Sequence, residues 1–259
     1  MPSLKRLLVA SAKGGVGKST TALCIAAEYA RMGKNVLLVD LDMTSRSLDM
    51  LAGCEDKSLF GFGDVMNGTL FENCVIHSAG DISGLDLLPA SHENSSNNPD
   101  SANVKNTLAE ILECGKYDVI VCDTGGGISL AEVISPLFDF ILVTSEQSQT
   151  SLRAAEYAGM QLSLSGAKNI RLVVCAFDLP SVRRENRAGI IEMIDRSSLK
   201  CVGVVPMDKK LQKLQDSGKI PINTATDAAY RNIARRLEGY DVPLFYGIKG
   251  LRKRLKAAL

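Results

Sequence analysis

Two lysines, three glycines and two adjacent hydroxyl residues fall together in Ala12-Lys13-Gly14-Gly15-Val16-Gly17-Lys18-Ser19-Thr20. Residues of these types at this spacing can hold a chain of phosphates. Glycines let backbone N–H groups turn inward around phosphate oxygens, so Gly14, Gly15, Val16 and Gly17 read as a cradle. Lys18 reaches the β- and γ-phosphates of a nucleotide, and Ser19 offers its hydroxyl to Mg2+. Thr20 belongs to the same nucleotide-binding run, and the helix that follows adds the positive end of its dipole. The common pattern G-x-x-x-x-G-K-[ST] asks for glycine at position 12. Ala12 stands there instead, and Lys13 is an additional cation.

Carboxylates follow at matching places. Val39-Asp40-Leu41-Asp42 closes one apolar run, and Tyr117-Asp118-Val119-Ile120-Val121-Cys122-Asp123 closes another. An acid at the C-terminal end of a parallel strand beside a phosphate loop can hold water or Mg2+. Asp123 is expected to reach Mg2+ through water, and Asp40 is assigned a structural role. After Asp123 come Thr124, Gly125, Gly126, Gly127, Ile128 and Ser129. Three glycines suit a loop that rearranges when a γ-phosphate is lost.

These residues need a scaffold that brings strand ends together. Short apolar runs at Leu7–Ala10, Val36–Val39, Leu85–Leu88, Val119–Cys122, Phe140–Val143, Leu172–Ala176 and Val202–Val205 read as strands apolar on both faces. Such strands belong to a buried, mostly parallel sheet. Helical patterns at about 19–32, 129–137, 150–163, 186–196, 207–216 and 226–238 alternate with them. The expected fold class is α/β, a doubly wound, mostly parallel sheet with helices on both faces. Residues 91–101 are polar and turn-rich and read as a surface loop.

The chain has 259 residues and a formal net charge of +1, so bulk charge argues neither for nor against nucleic acid. Its seven cysteines form no C-x-x-C pair. That leaves a zinc or iron–sulfur site unsupported and suits reduced cytosolic thiols. The run Leu7–Ala10 is too short for a signal peptide, and no stretch approaches the roughly 20 apolar residues of a spanning helix. The protein is expected to be soluble or to lie on a membrane.

Lys13-Gly14-Gly15-Val16-Gly17-Lys18-Ser19-Thr20 resembles the deviant Walker A motif of MinD and ParA ATPases. The resemblance implies ATP and Mg2+ as ligands and a homodimer formed with ATP. It also implies a role for Lys13 in trans: the cation crosses to the partner's nucleotide and stabilises charge there, as an arginine finger does. Asp42 resembles the switch I aspartate that orients the attacking water. Lys13, Lys18 and Asp42 are thus the candidate catalytic residues. Arg46-Ser47-Leu48-Asp49-Met50-Leu51 resembles the dimer-interface stretch that follows it. Asp123-Thr124-Gly125-Gly126-Gly127-Ile128-Ser129 resembles switch II, worded closer to flagellar-placement ATPases of the group. Pro206 and Asp208 fall in a turn that borders the adenine in the family.

The similarity runs along nearly the whole chain, with departures. Cys175 stands where relatives often place an adenine-reading asparagine. Arg153-Ala154-Ala155-Glu156 replaces an acidic pattern that helps MinD hold MinC, and Ser47 replaces an asparagine near the same surface. A partner other than MinC is therefore expected at this surface, and a protein activator that the sequence does not identify.

Residues 245–259 carry Ile248, Leu251, Leu255 and Leu259 on one helical stripe among Lys249, Arg252, Lys253, Arg254 and Lys256. That pattern suits a basic interfacial helix drawn to anionic lipid, and also a solvated charged tail. It resembles the membrane-targeting tail of MinD. The expected organisation is an ATPase domain at 1–244 and an amphipathic tail at 245–259. The expected location is cytoplasmic, peripheral on the inner face of the cell membrane in the ATP state. A ParA-like partition ATPase on DNA and a flagellar-number regulator are the alternatives. Nucleic acid is disfavoured but open, and a metallocluster ATPase lacks its cysteine pair.

Overall fold

The computed structural model describes residues 4–91, 100–184 and 187–247. Seven strands form one sheet: β1 (Lys5–Ala10), β2 (Val36–Leu41), β3 (Leu85–Leu88), β4 (Val119–Thr124), β5 (Phe140–Ser145), β6 (Ile170–Phe177) and β7 (Lys200–Pro206). Their order is β3-β2-β4-β1-β5-β6-β7, and every neighbouring pair is parallel. Each of the expected apolar runs lies in one of these strands. β2 and β4 are buried along their whole length, as a sheet covered on both faces requires.

The helices are α1 (Lys18–Arg31), α2 (Leu48–Leu51), α3 (Phe62–Met66), α4 (Phe71–Cys74), α5 (Ser101–Leu112), α6 (Ser129–Ile134), α7 (Gln149–Leu164), α8 (Leu179–Arg183), α9 (Ile190–Ser197), α10 (Lys209–Gln215) and α11 (Ala225–Leu237). α1 packs with α11 over one side of the sheet, while α5, α6, α7 and α9 pack in succession. α11 lies so close on β7 that a Cβ at Gly203 would meet Ile233 Cγ1 at 2.1 Å. Only glycine admits that approach.

An ion cluster fastens α1 to α11. Arg31 bonds Glu28 at 2.5 Å and Asp227 at 2.9 Å, and Arg231 bonds the same two carboxylates at 3.1 and 2.7 Å. Burial raises the Glu28 carboxyl above its ordinary range, and its hydrogen bond with Asp227 adds to the rise.

Three local differences from the sequence reading have physical reasons. α5 was not expected, because its sequence is rich in Ser and Asn. Its apolar side chains nevertheless recur at Val104, Leu108, Ile111 and Leu112, and Asp100 caps it by accepting from Ala102 N. The helix expected over 129–137 stops at Ile134, and Ser135–Leu137 is a 3-10 turn containing Pro136, which has no N–H to continue the ladder. The helix expected over 186–196 is found as α9, from Ile190.

Candidate functional site

β1 ends at Ala10 and α1 begins at Lys18, so the glycine loop turns the chain between them. Gly15 and Gly17 have φ of +75° and +85°, where an L side chain would be strained. A Cβ at Gly14 or Gly15 would meet nothing within 4 Å, so the cradle is open on that side. Val16 is buried and anchors the loop's crest.

The parallel register sets the acids beside this loop. Asp123 pairs with Val9 on β1 and with Asp40 on β2. Lys18 Nζ stands 3.6 Å from Asp123 Oδ1, and both Asp123 oxygens are buried without a hydrogen-bond partner. Burial raises the Asp123 carboxyl to about 6, against the pull of the Lys18 charge. Burial also raises Asp40 to about 7, with the Asp123 carboxylate adding to the rise. Two desolvated carboxylates, one with orphaned oxygens, fit a divalent cation held through water. Ser19 and Asp123 are the residues that would hold Mg2+.

Asp40 and Asp42 divide their work. Asp40 accepts from the N–H groups of Asp42, Ser47 and Leu48, at 2.9, 3.2 and 3.2 Å, and so ties the end of β2 to the start of α2. Asp42 Oδ1 accepts from Thr44 N at 3.1 Å and Ser45 N at 2.9 Å. Among the described residues Asp42 Oδ2 takes no donor. A Cβ at Gly125 would lie 3.2 Å from Asp42 Oδ1, so the glycine lets the chain pass close to this carboxylate. A single antiparallel bridge joins Ser11, at the mouth of the phosphate loop, to Gly127.

Lys13 does not face these acids. Its ammonium donates to Ser151 Oγ at 2.9 Å and lies 3.5 Å from Ser148 Oγ, at the start of α7. Neither serine was singled out in the sequence. Ser148 could have been noticed as a helix cap, since its hydroxyl accepts from Ser151 N.

Pro206 and Asp208 lie at the far end of β7. Asp208 Oδ1 accepts from Lys210 N at 2.9 Å, capping α10, and Oδ2 accepts from Thr226 Oγ1 at 3.1 Å. Gln215, at the end of α10, donates to Thr20 Oγ1 at 2.6 Å, another contact absent from the sequence reading. Cys175 is buried beneath the loop, its Sγ 3.6 Å from Thr21 Oγ1 and against Gly17. Burial pushes its thiol up to about 12. Ile248, Leu251, Leu255 and Leu259 lie outside the described residues. The chain before them is pinned to the domain. Arg236 donates to the carbonyls of Val202, Val242 and Pro243, and Asn232 donates to that of Tyr246. Among the described residues no helix is long and apolar enough to cross a membrane, and no group of three His, Cys, Asp or Glu could hold a metal ion.

A parallel sheet whose first strand runs through a glycine loop into a lysine-headed helix, with a buried aspartate on the neighbouring strand, defines a P-loop NTPase. The chain belongs to the ParA family, described as NUBPL iron-transfer P-loop NTPase, whose pattern matches residues 4–238. It is 31% identical over 247 residues to the septum site-determining protein MinD of Synechocystis, covering 92% of this chain and 90% of that protein. It is 28% identical over 264 residues to MinD of Escherichia coli K12, covering 96% and 97%. The MinC:MinD cell division protein complex of Aquifex aeolicus superposes with a TM-score of 0.85 at 27% identity, covering 93% of this chain and 98% of that one. The protein is thus a MinD-like member of the ParA family.

Proposed function

We propose that this protein hydrolyses ATP as a MinD-type switch: it dimerises with ATP, binds the membrane reversibly and positions the division site or another cellular structure. Lys13 carries the reading. Of the two loop lysines Lys18 stands beside Asp123, while Lys13 donates to Ser151 at the start of α7. A second loop cation so placed is available to another subunit. The similarity to MinD proteins over most of the chain supports the same reading.

In this reading Lys18 and the loop amides hold the β- and γ-phosphates. Asp42 Oδ2 orients a water for attack on the γ-phosphorus, and the bond to the ADP oxygen breaks. Mg2+, held by Ser19 and through water by Asp123, would neutralise the developing charge. The partner's Lys13 is the further cation, so hydrolysis waits for dimerisation. Pro206 and Asp208 border the base. Residues 1–244 form the ATPase domain, and 245–259 the tail that places it, peripherally, on the cytoplasmic face of the membrane.

One tail buries little apolar surface, at about 25 cal/mol per Å2, and each basic residue adds roughly 1 kcal/mol near a charged leaflet. A dimer presents two, and the second engages at high effective concentration, raising avidity about a hundredfold. Co-sedimentation with anionic liposomes tests this. ATP but not ADP should carry the protein into the pellet, and removal of residues 248–259 should abolish that while leaving ATP-driven dimers. Protein that stays in the supernatant with ATP and liposomes, yet is retained by DNA, makes it a partition ATPase instead.

A further inference from the structure

We propose that Gln215 is a positioning residue for nucleotide binding: rather than donating to phosphate itself, it fixes the Thr20 hydroxyl as a donor toward the phosphate chain. The inference rests on the reading of residues 12–20 as a nucleotide loop. Gln215 Nε2 donates to Thr20 Oγ1 at 2.6 Å. Among the described residues this is the one hydrogen bond that Thr20 Oγ1 makes. A threonine hydroxyl has a single proton, and an oxygen that accepts from an amide must send that proton elsewhere. The usual destination in a helix is the carbonyl four residues back, and that bond is not formed. Thr20 lies in the first turn of α1, where N–H groups lack partners within the helix. Its hydroxyl proton and that turn's free N–H groups thus belong to an incoming anion.

The same contact ties α10 to the loop. α10 fully buries none of its residues, and its apolar Leu211 and Leu214 are only half-buried. Polar pins stand at its two ends: Asp208 with Thr226 at the start, and Gln215 with Thr20 at the finish. Just beyond it Gly218 meets Gly53 backbone to backbone, where a Cβ on Gly53 would come within 2.6 Å of the Gly218 oxygen. That contact fixes how closely Gln215 approaches the loop.

The direction of the bond makes the inference testable with isosteric variants. Gln215→Ala leaves Thr20 free to rotate. Gln215→Glu keeps the shape but replaces the donor by an acceptor, which captures the Thr20 proton and adds a negative charge beside the phosphates. Binding of a fluorescent ADP analogue and steady-state ATP hydrolysis are measured for the purified full chain. Gln215→Ala should weaken ADP and ATP alike, roughly three- to tenfold, with KM raised and kcat within about twofold. Gln215→Glu should be weaker than Gln215→Ala by a further about threefold or more. Adding Gln215→Ala to Thr20→Val should cost nothing beyond Thr20→Val alone. A Glu variant that binds as well as the Ala variant, or additive losses from the two positions, overturns the inference. If wild-type protein binds no ADP, and Lys18→Ala changes nothing, the nucleotide-loop reading falls and this inference with it. If wild type binds, Lys18→Ala does not, and the Gln215 variants match wild type, only the role of Gln215 falls.

Discussion

Lys13 and Ser151 of the same chain are joined by a 2.9 Å hydrogen bond from ammonium to hydroxyl. Ser151 lies in the first turn of α7, the positive end of that helix, which is a poor seat for a cation. The contact therefore holds Lys13 weakly in the single chain. Ser151→Ala should raise the fraction of dimer at limiting ATP by roughly two- to fivefold, the equivalent of one net hydrogen bond of about 0.5–1 kcal/mol lost from the monomer. Lys13→Ala should bind ADP within about twofold of wild type and hydrolyse no ATP above background. Light scattering and phosphate release check the two variants.

Lys18→Ala removes the cation that faces both phosphate and Asp123. Affinity for ATP should fall by about tenfold to a hundredfold, as for a charge-assisted contact. The nucleotide-free protein should also melt earlier, because a buried carboxylate loses the cation paired with it among the described residues, at a cost of about 3 kcal/mol or less. Calorimetric titration and a thermal melt by circular dichroism report the two effects separately.

Asp42→Asn keeps an oxygen for the N–H groups of Thr44 and Ser45, so the shape of switch I should survive. It weakens the hold on a water at the other oxygen. Hydrolysis should drop about a hundredfold, with ATP affinity within about twofold, and ATP-bound dimers should accumulate. A variant that hydrolyses normally shows that Asp42 does not orient the attacking water.

Glu28 gives a dependence on pH. Its carboxyl is raised from an ordinary value of 4.5, first by burial and then by its bond with Asp227. The folded state thus binds this proton more tightly than the unfolded chain does. The associated stability is full below pH 4.5 and is lost as pH rises through the raised value. Glu28→Gln should flatten this part of the decline. Urea midpoints at several pH values from about 4.5 to 8 measure it, and an unchanged slope in the variant removes Glu28 as its source.

Much of this arrangement could be read from the sequence because its signals are local. Both-face apolar runs marked all seven strands, and Gly14, Gly15 and Gly17 before Lys18 marked the loop. Asp42 and Asp123 were visible as acids at strand ends. The contacts that were not visible join distant parts of the chain. Ser151 is 138 positions from Lys13, and Gln215 is 195 from Thr20. No periodicity carries such pairings, because they depend on where β5 and β7 end relative to β1. Cys175 shows a subtler limit. Its place, where relatives often carry an adenine-reading asparagine, gives no sign that the register of β6 sets its sulfur beneath Gly17. The same strand carries a register irregularity and a positive φ at Ala176, which no residue type at that place announces.

The bridge between Ser11 and Gly127 makes the entrance of the phosphate loop and the glycine run of switch II mechanical neighbours. In the proposed function, coupling between them then needs no relay through the interior. A displacement of a fraction of an ångström at the loop must either carry Gly127 with it or break one pair of contacts. With glycine at the joint and at the two positions before it, Gly125 and Gly126, this segment is compliant where it meets the end of a buried strand. The joint is that of a hinge pinned beside the phosphate loop: one pair of backbone contacts couples the two segments directly.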